Sequence, residues 1–202
     1  MLRKTMSIIF LLVLVSFFQG CGPSRTVTRI GTDEVVDLSG RWNDTDSRLT
    51  AEQMIKGLLE RPWDDEFQTT NGRKPAVIVG TVRNLSSEHI ETGIFIKDIE
   101  RELVNCGRVK FVATKEERVE IRDERTDQQS FATEETAKGL ANETGADFML
   151  KGSIKSQTDA VDGQEIKYYQ VDLELINLEN NEKVWIDSKK IKKNVEKSSS
   201  SW

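Results

Sequence analysis

The last third of the chain constrains its fold most. Val171, Leu173 and Leu175 alternate with Asp172, Glu174 and Ile176, a period of two that lines one side of an extended strand and does not fit one face of a helix. Strand-like stretches flank it on both sides, so three strands are predicted: Phe148–Ile154, Ile166–Ile176 and Lys183–Ile191. Asp162-Gly163 and Asn180-Asn181 stand between them. These residue types tolerate the left-handed backbone of tight turns, so the strands fold back on one another as an antiparallel meander.

Upstream, helix and strand signals alternate. Thr50 is placed to cap a helix through Glu60, with Met54, Ile55, Leu58 and Leu59 on one face and Pro62 as its stop. Ala76–Val82 is a β-branched run of the kind buried on both faces of a sheet. Between Glu91 and Cys106, Ile94, Phe95, Ile99, Leu103 and Val104 recur at helical spacing, and Gly107 sits where a terminating glycine belongs. A short strand, Val109–Ala113, follows, then a charged stretch, Lys115–Gln129, readable as a solvated helix. A further helix is predicted over Thr133–Thr144, with Ala137, Leu140 and Ala141 inward and Gly145 as its stop. The order α-β-α-β-α-α-β-β-β predicts an α/β single domain, a mixed β-sheet with a C-terminal antiparallel meander and helices packed on its faces.

The N-terminus bounds where that domain works. Arg3 and Lys4 precede an apolar run from Ile8 to Phe18, broken only by Ser16. The run is too short for a comfortable transmembrane helix, which needs about 20 apolar residues, and it has the layout of an export signal over residues 1–20. Phe18-Gln19-Gly20-Cys21 resembles a lipobox, whose cysteine is acylated and becomes the first mature residue, so Cys21 is the expected lipidation site. Two or three acyl chains, at about 0.8 kcal/mol per buried CH₂, hold a protein firmly to a membrane. Residues 21–40 are poor in large apolar side chains and read as a tether, 41–196 as the globular domain and 197–202 as a polar tail.

Charge and chemistry exclude more than they assign. The chain has 29 Lys and Arg against 34 Asp and Glu, and loss of Arg3 and Lys4 with the signal makes it more acidic. Such a surface repels phosphate, which argues against nucleic acid and against electrostatic adhesion to anionic lipid. No phosphate-cradling glycine loop and no Gly-x-Ser-x-Gly elbow occurs, and His89 is the one histidine. With one imidazole and a single further thiol, Cys106, a metal site has little to be built from. Acid runs such as Asp64-Asp65-Glu66 and Glu134-Glu135 read as solvated surface in a chain so rich in carboxylates, and Cys106 as an inert buried thiol. His89 follows a buried strand near a helix start, where an N-cap or packing role is the first reading and ligand contact the second. Trp42 and Trp63 stand evenly between core and interface, whereas Trp185 sits in a strand pattern and reads as core. No catalytic residue, metal or cofactor is expected.

Several short runs together resemble one family. They are Asp37-Leu-Ser-Gly-Arg-Trp-Asn-Asp-Thr-Asp-Ser47, Arg61-Pro-Trp63, Val79-Gly-Thr-Val-Arg-Asn84, Ser87-Glu-His-Ile90, Gly107-Arg-Val-Lys-Phe-Val112, Gly145-Ala-Asp-Phe-Met-Leu-Lys-Gly152, Tyr168-Tyr169 and Glu182-Lys-Val-Trp185. In order and number they look like the LpoB-like penicillin-binding-protein activators. The resemblance implies a fold similar to the N-terminal domain of TolB and to the curli-export lipoprotein CsgG. It also implies a lipid-anchored protein of the outer membrane, facing the periplasm, with a peptidoglycan synthase, a class A penicillin-binding protein, as partner. Its well-known members carry a long Pro-rich tether, whereas about 20 residues before Trp42 extend only about 70 Å here.

The polar segment after the buried strand is the candidate contact surface: Arg83, Asn84, Ser87, Glu88, His89 and Ile90, with Trp42 and Trp63 as anchors. Two other readings compete. A CsgG-like subunit of an envelope assembly or secretion complex would need a membrane-inserting hairpin, but the 166–191 region carries Asp, Glu and Lys on its polar face and ends in Lys189, Lys190, Lys192 and Lys193. A cell-wall enzyme would need a carboxylate on which turnover depends.

Overall fold

In the computed structural model, residues 25–133 and 143–196 are described. The export signal, Cys21, most of the helix expected over Thr133–Thr144, Glu134-Glu135 and the tail 197–202 lie outside the described residues. The segment up to Glu34 and the chain from Val35 onward are separate units. Within the described part of the first, the Glu34 N–H donates to the Gly31 carbonyl at 3.2 Å.

The second unit begins with α1, Asp44–Leu59. Its cap, Asn43, lies seven residues ahead of the one expected at Thr50, because Asn43 and Asp46 form a reciprocal capping box and Asp44 and Asp46 place negative charge in the first turn. A helix that the sequence reading lacks, α2 (Trp63–Asn71), follows at once and ends on Gly72 at φ 66°. Pro62, read as a stop, is also an entry: a missing N–H costs nothing ahead of a first turn. Then come β1 (Ala76–Asn84), α3 (Thr92–Asn105), β2 (Lys110–Phe111) and α4 (Lys115–Phe131). Gly107 stands past α3 with φ 66°, as its position predicts. No residue of α4 is buried.

The meander consists of β3 (Phe148–Val161), β4 (Gln164–Asn177) and β5 (Lys183–Glu196). The sheet order is β2-β1-β3-β4-β5. β1 is parallel to both β2 and β3, and β3, β4 and β5 are antiparallel. The β3–β4 hairpin closes over Asp162 (φ 40°) and Gly163 (φ 86°), and Asn181 (φ 62°) turns β4 into β5. Two left-handed residues in a two-residue loop match the twist of the strands they join.

One core holds the layers together. Leu150, Ile154, Val171, Leu173, Leu175 and Trp185 form the sheet's inner row, against Met54 and Leu58 of α1 and Phe95, Ile99 and Leu103 of α3. These helices therefore gather on one face of the sheet. On the opposite face of β3–β5, Lys151 and Lys183 both reach Glu174, and Lys155 reaches Asp172 at 2.9 Å.

Candidate functional site

The chain from Val36 to Ser47 lies across the inner ends of β4 and β5, so residues 36–40, expected to be tether, are already part of the fold. A Lys among inward-facing strand residues needs a counterion, and there are two. Lys193, 9 % exposed, donates to Asp37 at 2.5 Å, Asp46 at 2.6 Å and the Arg41 carbonyl at 3.2 Å. Lys167 donates to Glu88 at 2.8 Å. Burial alone would pull the Lys193 ammonium down, but its two carboxylate partners hold it above the ordinary lysine value. Lys193 in turn holds Asp37 below the usual carboxylate range.

Gly40 makes the crossing possible. At φ 65°, a Cβ on this residue would come within 2.2 Å of Val195 Cγ2. Its carbonyl accepts from the Tyr169 hydroxyl at 3.2 Å. Beside it, the Trp42 ring meets Tyr169 edge-on, centroids 5.7 Å apart, and the Trp42 Nε1–H donates to Ser47 Oγ at 2.8 Å.

The loop after β1 closes onto this strap. Asn84 Oδ1 accepts from the Ser86 amide at 3.0 Å, while Asn84 Nδ2 donates to the Glu88 carbonyl at 2.8 Å. This is the local capture of backbone groups that favours Asn in turns. The Ser87 amide donates to Ser156 Oγ of β3 at 3.1 Å. The Glu88 carboxylate accepts the Trp42 amide at 3.1 Å as well as Lys167. Burial would push Glu88 up, but hydrogen bonds from Lys167, the Trp42 amide and Tyr169, with the Lys167 charge, hold it below the ordinary glutamate value.

The structure therefore brings Trp42, Asn84, Ser87 and Glu88 together, with Ile90 buried beneath and Arg83 and His89 exposed around them. His89 is not the N-cap of α3. Glu91 is, its carboxylate accepting from the Gly93 amide at 3.0 Å. Trp63 is set apart. It is 5 % exposed, donates Nε1–H to the Leu58 carbonyl at 3.0 Å and packs edge-on against Phe148, centroids 5.1 Å apart. Phe148 and Ser156 are eight residues apart on β3, about 26 Å at 3.3 Å per residue. Next to Trp63, Asp64 is buried and takes a two-pronged grip from Arg108 at 2.6 Å, so this part of the acid run is an internal ion pair and not solvated surface. Cys106 is half-buried, its thiol donating to the Leu103 carbonyl at 3.0 Å.

Among the described residues no group of His, Cys, Asp and Glu is arranged to hold a metal ion, and no helix is long and apolar enough to cross a membrane. The sequence profile of the family described as peptidoglycan-synthase activator LpoB matches residues 46–191. The chain belongs to this family. Members of the LpoB family are regulatory activators rather than enzymes. Among solved structures, the LpoB C-terminal domain from Salmonella enterica is 16 % identical, the match covering 64 % of this chain and 93 % of that one at a TM-score of 0.37. The LpoB C-terminal domain from Escherichia coli is 14 % identical, with 63 % and 93 % covered and a TM-score of 0.37. The PelC dodecamer from Paraburkholderia phytofirmans is 15 % identical, with 59 % and 71 % covered and a TM-score of 0.31. Among curated proteins, none matches the chain.

Lys167 and Lys193 are the residues of this cluster that the sequence reading did not place at the candidate surface or in the runs carrying the family resemblance, whereas Asp37, Asp46 and Tyr169 fall within those runs. A signal was present: Lys167 shares the phase of Tyr169, Val171, Leu173 and Leu175 on β4, the side that turned out to be buried. A lysine in an apolar row announces a buried partner.

Proposed function

We propose that this LpoB-family protein is an outer-membrane lipoprotein, anchored through acylated Cys21, whose periplasmic domain binds a class A penicillin-binding protein and activates it. The family match over residues 46–191 carries the reading. The proposed contact surface is the Arg83–Ile90 loop with Trp42 beside it. Its backbone is already held by Asn84, Ser86 and Ser156, so little ordering remains to oppose binding.

Activation without chemistry requires tighter binding to the partner's active conformation than to its inactive one. A tenfold bias corresponds to about 1.4 kcal/mol, within the reach of one or two side chains. With the fold starting near Val36, residues 22–35 span at most about 50 Å from the lipid. The synthase must therefore carry its docking surface that far toward the outer membrane.

A photo-crosslinking side chain placed at His89 in intact cells tests the proposal. Recovery of a class A penicillin-binding protein supports it. Recovery of further copies of this chain alone would point instead to a self-assembled envelope complex.

A further inference from the structure

β5 ends the sheet, and among the described residues its outer edge has no strand beside it. An unpaired edge invites another chain, and proteins commonly blunt it with lysines. β5 does so at Lys189, Lys190 and Lys192, and at its first residue, Lys183, whose ammonium is taken up by Glu174. Between them, Val184-Trp185-Ile186 carries no lysine, and Ile186 is 65 % exposed.

Two adjoining hollows of about 740 Å³ and about 360 Å³ run beside this stretch, sharing Arg61, Trp185 and Ile186. Trp63, Phe67, Phe148 and Trp185 supply aromatic lining, with Phe67 and Phe148 edge-on at 5.4 Å. The rim is acidic: Glu60, Glu66, Glu179, Glu182 and Asp187. All five are exposed, and none has an ion-pair partner among the described residues. Of the two cations there, Lys183 is engaged by Glu174 at 2.5 Å, which leaves Arg61.

We propose that the channel along the outer edge of β5, from Glu182 to Asp187, takes an extended peptide segment of another protein that carries Lys or Arg on either side of one large apolar residue. The segment adds a strand to β5 through main-chain hydrogen bonds, its apolar side chain enters the aromatic hollow, and its cations meet the rim carboxylates. Residues of the 60–71 segment, among them Glu60, Arg61, Glu66 and Phe67, line the hollows together with Trp185 and Ile186 of β5. Two-fold pairing of β5 with a second copy would bring two such segments against each other. This surface lies at the Phe148 end of the sheet, away from the Arg83–Ile90 loop, and stands whether or not the partner bound there is a synthase.

The test is a titration of the full chain, followed by backbone-amide NMR, with the peptide Lys-Val-Lys-Val-Phe-Val-Lys-Val-Lys. A control peptide has Glu at every Lys. Amide shifts concentrated at 183–187 and in α2, at least tenfold weaker binding by Glu66→Lys/Glu182→Lys, and unchanged binding by Arg83→Glu support the proposal. Circular dichroism checks that the charge-reversed variant keeps its fold; should it not, Glu179→Lys/Asp187→Lys replaces it under the same criterion. No binding, equal binding of the acidic control, shifts spread over the surface without the β5 edge, or a dimer of the chain that excludes the peptide would each overturn it.

Discussion

Lys193 and Asp46, 147 residues apart in sequence, meet at 2.6 Å with 9 % of each side chain exposed. The contact joins the last strand to the first turn of the first helix. It belongs to a buried set in which Asp37 shares the same ammonium and Glu88 receives both Lys167 and the Trp42 amide. Taking such charges out of water is costly, so their contribution is collective: removing one partner leaves another buried and uncompensated.

Lys193→Met should therefore cost about 3 kcal/mol, the scale for breaking a buried pair. Urea unfolding of the variant against the parent measures it. A loss within about 0.5 kcal/mol, the size of an ordinary surface substitution, would show that Asp46 is solvated and the strap loose.

The same groups set the pH range of stability. Glu88 and Asp37 are held below their ordinary values of 4.5 and 3.8. What they contribute is complete above those values and is lost as pH falls through the lower values of the folded state. Lys193 is raised above 10.5 and Tyr169 above 10.0, so their contribution is complete below those values and lost as pH rises through the folded ones. A plateau from about pH 5 to about pH 10 is expected in unfolding free energy from this cluster. Glu88→Gln should lower the plateau and flatten the acid limb, and Lys193→Met should flatten the alkaline one.

Gly40→Ala brings a Cβ against Val195 and forces a left-handed backbone on a residue that avoids it. A left-handed alanine alone costs roughly 1–2 kcal/mol. Limited trypsin digestion is the sensitive readout: cleavage after Arg41 should become rapid in the variant and stay slow in the parent.

How far the sequence spoke depended on whether burial was apolar. β4 is legible because its inward row from Tyr169 to Leu175 is unbroken, and the Asp162-Gly163 turn carries its own signature. The ends of β3 and β5 are not: beyond Ser156 the residues of β3 are exposed, and beyond Ile191 the buried inward position of β5 is Lys193, so no apolar row marks the ladder that continues. α1 begins unseen because the residues buried in its first turn are Thr45, Asp46 and Ser47, polar side chains that make no greasy stripe. α2 has only Trp63 and Phe67 as large apolar residues, four apart, too narrow a stripe to register. Of the candidate surface, the position after β1 was readable, whereas the tie from Glu88 to Trp42 and Lys167 depends on partners 46 and 79 residues away.

Arg83 is exposed and makes no ion pair among the described residues. Arg83→Glu should leave the unfolding midpoint within experimental scatter and weaken binding to the synthase about tenfold, or about 1.4 kcal/mol. Surface plasmon resonance with the synthase immobilised separates the two effects. Equal affinity in parent and variant would remove the loop from the interface.

Activation by binding is read out by the rate of glycan-strand synthesis by a purified class A penicillin-binding protein, with and without an equimolar amount of this protein. Polymerisation should be faster with the parent chain and gain less from Arg83→Glu, and the protein alone should turn over no peptidoglycan. An unchanged synthase rate in the presence of the folded protein, or peptidoglycan turnover by the protein itself, would contradict activation by binding.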